Sequence, residues 1–83
     1  MIIANINLFS QQAQVSLPNG EKVNRDLSIL PADLVDLAYS TQDFDIIIIG
    51  DLPIDLNQDF ISTVQRIENN KFNENKIRVK GVY

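Results

Sequence analysis

The sequence predicts one small α/β domain built around a single mixed sheet, and three observations predict it. Residues 1–83 form one domain, because a chain of this length buries roughly 60–65% of its unfolded surface and has room for a single core. Alternation of apolar and polar residues recurs through the N-terminal part and returns at the C-terminal end. Between these parts, two segments with helical spacing flank a run of four isoleucines. The predicted order is strand, strand, short strand, helix, strand, helix, strand.

The N-terminal elements follow from period-two alternation. Residues 2–9 alternate, with Ile2, Ala4, Ile6 and Leu8 on one face, which is the pattern of a half-buried strand. The alternation resumes over residues 12–17 after a short polar break, so these two segments are expected to form a β-hairpin. Pro18-Asn19-Gly20 predicts a turn, because proline fixes φ and Asn-Gly accepts positive φ. Residues 22–24 are expected to add a short third strand.

Two helices and two strands make up the rest of the predicted domain. Pro31 suits the first turn of a helix over residues 31–39. The isoleucines at positions 46–49 predict a central strand that is covered on both faces. A second helix is expected to begin at residue 55 or 57 and to run to residue 70, before a last strand from residue 77. The side chains expected around the isoleucines in the core are Ile6, Val15, Leu34, Leu37, Phe60, Ile61, Val64 and Ile67.

The composition argues against several kinds of chemistry. The chain holds no cysteine and no histidine, so it lacks thiolate and imidazole metal ligands and the commonest general base. No apolar run is long enough to cross a bilayer, and the N-terminal residues carry no basic leader. We therefore expect a cytoplasmic protein that uses no cofactor and no metal and does not bind membranes.

The net charge of −4 is unevenly distributed along the chain. Residues 1–70 hold three basic and ten acidic side chains, whereas residues 71–83 hold four basic side chains and one acidic. Four cations beside an acidic body attract phosphates weakly, which makes nucleic acid a poor candidate partner. The last strand is expected to lie at a sheet edge, with Arg78, Lys80 and Tyr83 bordering an interface in a homo-oligomer or with another protein.

The order of elements resembles that of the ribonuclease H-like superfamily, which includes ATPase domains of the actin and sugar-kinase type. The resemblance rests on that order, on the first strand (residues 1–7) and on the isoleucine strand that ends in Gly50-Asp51. In that superfamily a three-stranded meander precedes two helix–strand units, so the resemblance implies a ribonuclease H-like arrangement over nearly the whole chain.

The resemblance also implies where a metal site would lie. Nucleases of this superfamily hold divalent cations with acids on the first strand, on the first helix and after the central strand. Asp51 matches the third place, and Asp33 or Asp36 lies near the second. The first strand carries Asn5 and Asn7 where an aspartate is needed, and an amide does not supply the charge that binds a hard cation well. This departure predicts a degenerate site without catalysis.

Together these observations favour a protein–protein interaction module that is not an enzyme. A short, acidic, single-domain chain suits a phage or mobile-element accessory protein, such as an inhibitor of a host enzyme. The alternative is a minimal metal-dependent nuclease or nucleotide-binding domain that uses Asp51 with Asp33 or Asp36.

Overall fold

The computed structural model of this chain describes residues 1–50 and 54–82, without the side chains of residues 54–57 and 82. Within those residues the elements follow one another in the expected order. The strands are β1 (Ile2–Asn7), β2 (Gln12–Ser16), β3 (Lys22–Asp26), β4 (Asp45–Ile49) and β5 (Arg78–Val82), and the helices are α1 (Leu30–Thr41) and α2 (Ile54–Phe72). A small α/β domain with one mixed five-stranded sheet is therefore confirmed. The ribonuclease H-like arrangement itself stays a prediction.

The sheet has the strand order β3-β2-β1-β4-β5. The neighbours β1 and β2, and β2 and β3, are antiparallel, whereas β4 is parallel to both β1 and β5. The isoleucine strand thus lies parallel to both of its neighbours, as strands joined by helical crossovers do. That strand is not the central one, however: β1 occupies the centre and β4 lies next to the edge strand β5. The sheet consequently has an antiparallel half, β3-β2-β1, and a parallel half, β1-β4-β5.

Hydrogen bonds within two turns determine where neighbouring strands of the sheet end. The turn predicted at Pro18-Asn19-Gly20 is present, with Gly20 at φ 88° and its N–H donating to the Leu17 carbonyl at 3.0 Å. The first strand ends at Asn7, two residues earlier than predicted, because the Asn7 side-chain oxygen accepts hydrogen bonds from the N–H groups of Phe9 and Ser10. Leu8, expected on the buried face of the strand, is therefore exposed.

Both helices cover the same face of the sheet. They pack against each other, and their buried side chains belong to the same core as alternate residues of the strands. This core contains Ile2, Ala4, Ala13, Val15, Leu30, Leu34, Val35, Ala38, Ile46, Ile48, Phe60, Val64 and Ile77. Of the predicted core residues, Val15, Leu34, Phe60 and Val64 are buried, whereas Ile6, Leu37, Ile61 and Ile67 are only half-buried.

The prediction that the isoleucines of β4 are buried on both faces is wrong. Ile46 and Ile48 face the helices and are 1% and 2% exposed, whereas Ile49 is 40% exposed and Ile47 is half-buried. Successive side chains of a strand point to opposite faces. Since both described helices lie on one side, only every second isoleucine is covered.

Substitution of neighbouring isoleucines should therefore have unequal effects on the free energy of unfolding. We expect Ile48→Ala to lose about 2–5 kcal/mol, because it leaves a cavity in the core. The matched control Ile49→Ala should lose less than about 1 kcal/mol, because its side chain already contacts solvent. Urea denaturation measures both values, and equal losses would show that the sheet is covered on both sides.

Candidate functional site

The outer face of the sheet, opposite the helices, consists of two chemically different halves. In the antiparallel half it presents polar side chains, as is usual for an antiparallel sheet with one solvated face. These residues are Asn5, Asn7, Gln12, Gln14, Ser16, Lys22, Asn24 and Asp26. They form a surface of side-chain amides with few charges.

The parallel half of the outer face presents isoleucines instead. Ile3 and Ile47 are partners across β1 and β4, and Ile49 follows two residues later on the same face. We call these three residues the isoleucine stripe. Parallel sheets are usually covered on both faces, which is why their strands are apolar throughout. Neither described helix covers this stripe, in which Ile49 is exposed and Ile3 and Ile47 are half-buried, although the sequence has the composition of a covered strand.

Arg78 and Lys80 border the isoleucine stripe on the edge strand β5. Arg78 pairs with Asp45 and Lys80 with Ile47 in the strand register, so all four side chains share the outer face. The Arg78 Nε atom lies 3.1 Å from an Asp45 carboxylate oxygen. Lys80 is exposed and makes no ion pair within the described part of the chain. Two of the three predicted interface residues are thus brought together, while Tyr83 lies outside the described residues.

The residues predicted for a degenerate acidic site are distributed over both layers. Asp33 and Asp36 lie on α1, where Asp33 is 3.4 Å from Arg25 Nε and Asp36 forms an ion pair with Lys71. Asn5 and Asn7 point to the outer face on the other side of the sheet. The structure thus does not bring these four residues together, and Asp51 lies outside the residues described.

No cluster of three or more acidic side chains suited to a metal ion occurs in residues 1–50 and 54–82. The second carboxylate oxygen of Asp33 is buried without a hydrogen bond, since its contact with Arg25 is long for one. This oxygen belongs to an ion pair between α1 and β3, and it is the only such buried side-chain atom among the described residues. Asp33 and Asp36 therefore act as local ion-pair partners.

A buried carboxylate that the sequence analysis missed fixes the start of β5. Glu68 of α2 is fully buried and accepts hydrogen bonds from the Tyr39 hydroxyl at 2.6 Å and from the backbone N–H groups of Lys76 and Ile77 at 2.9 and 3.1 Å. A signal was present in the sequence, because Glu68 follows Val64 by four residues on the apolar side of the helix. A charged residue at that position indicates a buried network.

Aromatic packing encloses this carboxylate. The Tyr39 ring stacks on Phe72 with 3.8 Å between centroids and meets the edge of Phe44 at 4.9 Å. Burial, reinforced by the hydrogen bond to Glu68, raises the pKa of Tyr39, so its hydroxyl remains a proton donor at neutral pH. The backbone N–H of Arg78 donates a hydrogen bond to the backbone carbonyl of Phe44 at 2.8 Å. This cluster joins both helices to β5 and thereby positions Arg78 and Lys80.

Among the residues that the structure describes, no helix combines the length and the apolar character needed to span a bilayer.

Removal of the buried carboxylate should destabilise the domain strongly. Glu68→Ala removes the acceptor of two backbone N–H groups and the nearer acceptor of the Tyr39 hydroxyl, and each buried group left unsatisfied costs roughly 1–3 kcal/mol. We expect a loss of at least about 2 kcal/mol in urea denaturation. The control Glu74→Ala, which removes an exposed carboxylate 3.4 Å from the same hydroxyl, should change stability by less than about 0.5 kcal/mol. Equal effects would contradict the role assigned to Glu68.

Comparison with protein-family models, with curated proteins and with solved structures finds no match for this chain. Its function is inferred from the placement of its own residues.

Proposed function

We propose that this chain is a non-enzymatic protein-binding module whose partner protein covers the isoleucine stripe. The observation that carries the proposal is that this stripe reaches solvent on the parallel half of the sheet, with Ile49 exposed and Ile3 and Ile47 half-buried. Burial of apolar surface contributes about 25 cal/mol per Å². A partner that covers Ile3, Ile47 and Ile49 gains this term, and the domain gains the second layer that a parallel sheet normally has.

The charged side chains beside the isoleucine stripe predict the charge of the partner's surface. Three of the four cations in the basic C-terminal segment are already paired: Lys71 with Asp36, Lys76 with Glu74, and Arg78 with Asp45. The fourth, Lys80, forms no ion pair with any described residue, and it lies directly beside Ile47. We therefore expect an acidic side chain of the partner opposite Lys80. Charged groups at the rim of an interface mainly affect specificity and the association rate.

The internal pairing of these cations also supports a protein partner over nucleic acid. Binding to nucleic acid depends on several cations that can neutralise phosphates at once. The paired carboxylates of Asp36, Glu74 and Asp45 oppose such contacts. Inhibition of a host enzyme, the role expected of a phage or mobile-element accessory protein, requires only a docking surface of this kind.

Site-specific photocrosslinking in the cells that encode the chain tests the proposal. A p-benzoylphenylalanine in place of Ile49 should give a crosslinked product larger than a dimer of this chain. The same residue in place of Gln14, on the polar half of the outer face, is the matched control and should give little product. Lys80→Glu should lower the yield at position 49, and the lowering should diminish at high salt because exposed charge pairs are screened. Lys22→Glu, on the far edge strand, should leave the yield unchanged.

Two results would contradict this function. Equal or absent crosslinking at positions 49 and 14 would show that the isoleucine stripe is not a docking surface. Magnesium-dependent cleavage of nucleic acid or nucleotides that Asp51→Asn abolishes would favour the alternative, a minimal metal-dependent nuclease.

A further inference from the structure

A fully exposed phenylalanine is held at the turn between β1 and β2. The Phe9 side chain makes no contact that reduces its exposure, and Leu8 beside it is also exposed. The Asn7 side chain accepts hydrogen bonds from the backbone N–H groups of Phe9 and Ser10, at 3.0 and 3.2 Å. The carbonyl of Gln11 accepts a hydrogen bond from Leu27, at 2.9 Å, which joins the turn to the segment before α1. Hydrogen bonds therefore hold the backbone that carries the Phe9 ring. This lowers the loss of conformational entropy when the ring inserts into a partner.

A cavity of matching size lies at the same end of the domain. Its volume is about 270 Å³, and its apolar lining comes from Ile6, Leu27, Leu30, Pro31 and Phe60. An apolar cavity of about 150 Å³ in another protein accommodates benzene, so this one has room for a phenylalanine ring. The chain's own Phe9 does not enter it, because that side chain is fully exposed.

The anchor and the cavity belong to one continuous surface. Ile6 lines both this cavity and the shallow depression beside Leu8 and Phe9. Ile29, another exposed apolar residue, lies in sequence between Ser28 and Leu30 of the cavity wall. A surface that carries both a protruding group and its receptor satisfies the requirement of a two-fold interface, in which each copy presents the same patch.

We propose that a second copy of this chain occupies the cavity, with each Phe9 inserted into the other copy. Leu8 and Ile29 then pack around the two inserted rings. This surface lies at the C-terminal ends of β1 and β4, whereas Arg78 is aligned with the N-terminal end of β4. Neither Phe9 nor the residues that line the cavity belong to the isoleucine stripe, so this proposal does not rest on the function proposed above.

Salt dependence distinguishes this dimer from one held by Arg78 and Lys80. Asp59 is the charged residue in the cavity wall, and the two-fold axis brings two copies of this acid near the same interface. High salt strengthens apolar burial when the salt is a sulfate, and it screens like-charge repulsion. Association through Phe9 should therefore persist or strengthen in sulfate, whereas association through exposed ion pairs should weaken.

Sedimentation velocity over a concentration series up to about 1 mM tests the dimer. Phe9→Ser should weaken association at least tenfold, since buried aromatic anchors carry much of the binding energy of an interface. Phe9→Leu should associate more tightly than Phe9→Ser, because leucine keeps an apolar side chain at this position. The control Ile49→Ser, which removes an exposed isoleucine from the outer face, should leave the dissociation constant unchanged. Circular dichroism should match wild type throughout, because both side chains contact solvent.

Crosslinking from position 9 then shows which residues this side chain contacts in the dimer. With p-benzoylphenylalanine in place of Phe9, a mixture of isotopically light and heavy chains should give crosslinks between copies that map to residues 27–31 or 58–63. A wild-type protein that remains monomeric, an unchanged dissociation constant in Phe9→Ser, or a loss confined to Ile49→Ser would overturn the proposal. So would crosslinking of position 9 to a different protein only.

Discussion

Both described helices lie on the same face of the five-stranded sheet, and the rest of the structure depends on this placement. Both α1 and α2 contribute to one core with Ile46 and Ile48 of β4, so the neighbouring isoleucines of the strand face away from it. An antiparallel sheet tolerates an open face when that face is polar, as it is along β2 and β3. The parallel half lacks this polar composition. Its outer face carries isoleucines that neither described helix covers, and this is the surface that we propose a partner protein binds.

The network around Glu68 makes this open face a defined surface. Breaking a buried carboxylate's hydrogen bonds is costly, so the Tyr39 hydroxyl and the first N–H groups before β5 are held in one arrangement. On the outer face, the ion pair between Arg78 and Asp45 joins β5 to β4. A preformed surface binds with a smaller loss of conformational entropy than a mobile one. In the proposed function, the hydrogen bonds of Glu68 in the helical layer therefore favour docking on the opposite side of the sheet.

Much of the fold could be predicted because period-two alternation and turn chemistry are local. The hairpin, the turn ending at Gly20 and the helix beginning near Pro31 depend on residues adjacent in sequence. The burial of Ile47 and Ile49 could not be predicted in this way, because four isoleucines look the same whether one or two layers cover them. For the candidate site, alternation in the last strand correctly grouped Arg78 with Lys80 on one face, but it did not identify the isoleucine stripe beside them.

The most direct test of this account is hydroxyl-radical footprinting of the dilute, isolated protein, with modification rates resolved for each residue of β4. Solvent exposure differs between adjacent side chains of this strand, from 2% at Ile48 to 40% at Ile49. The one-sided sheet predicts fast modification of Ile49, intermediate modification of Ile47 and slow modification of Ile46 and Ile48. Equal protection of all four isoleucines would mean that the isolated chain covers both faces itself, and the docking surface proposed on the outer face would not exist.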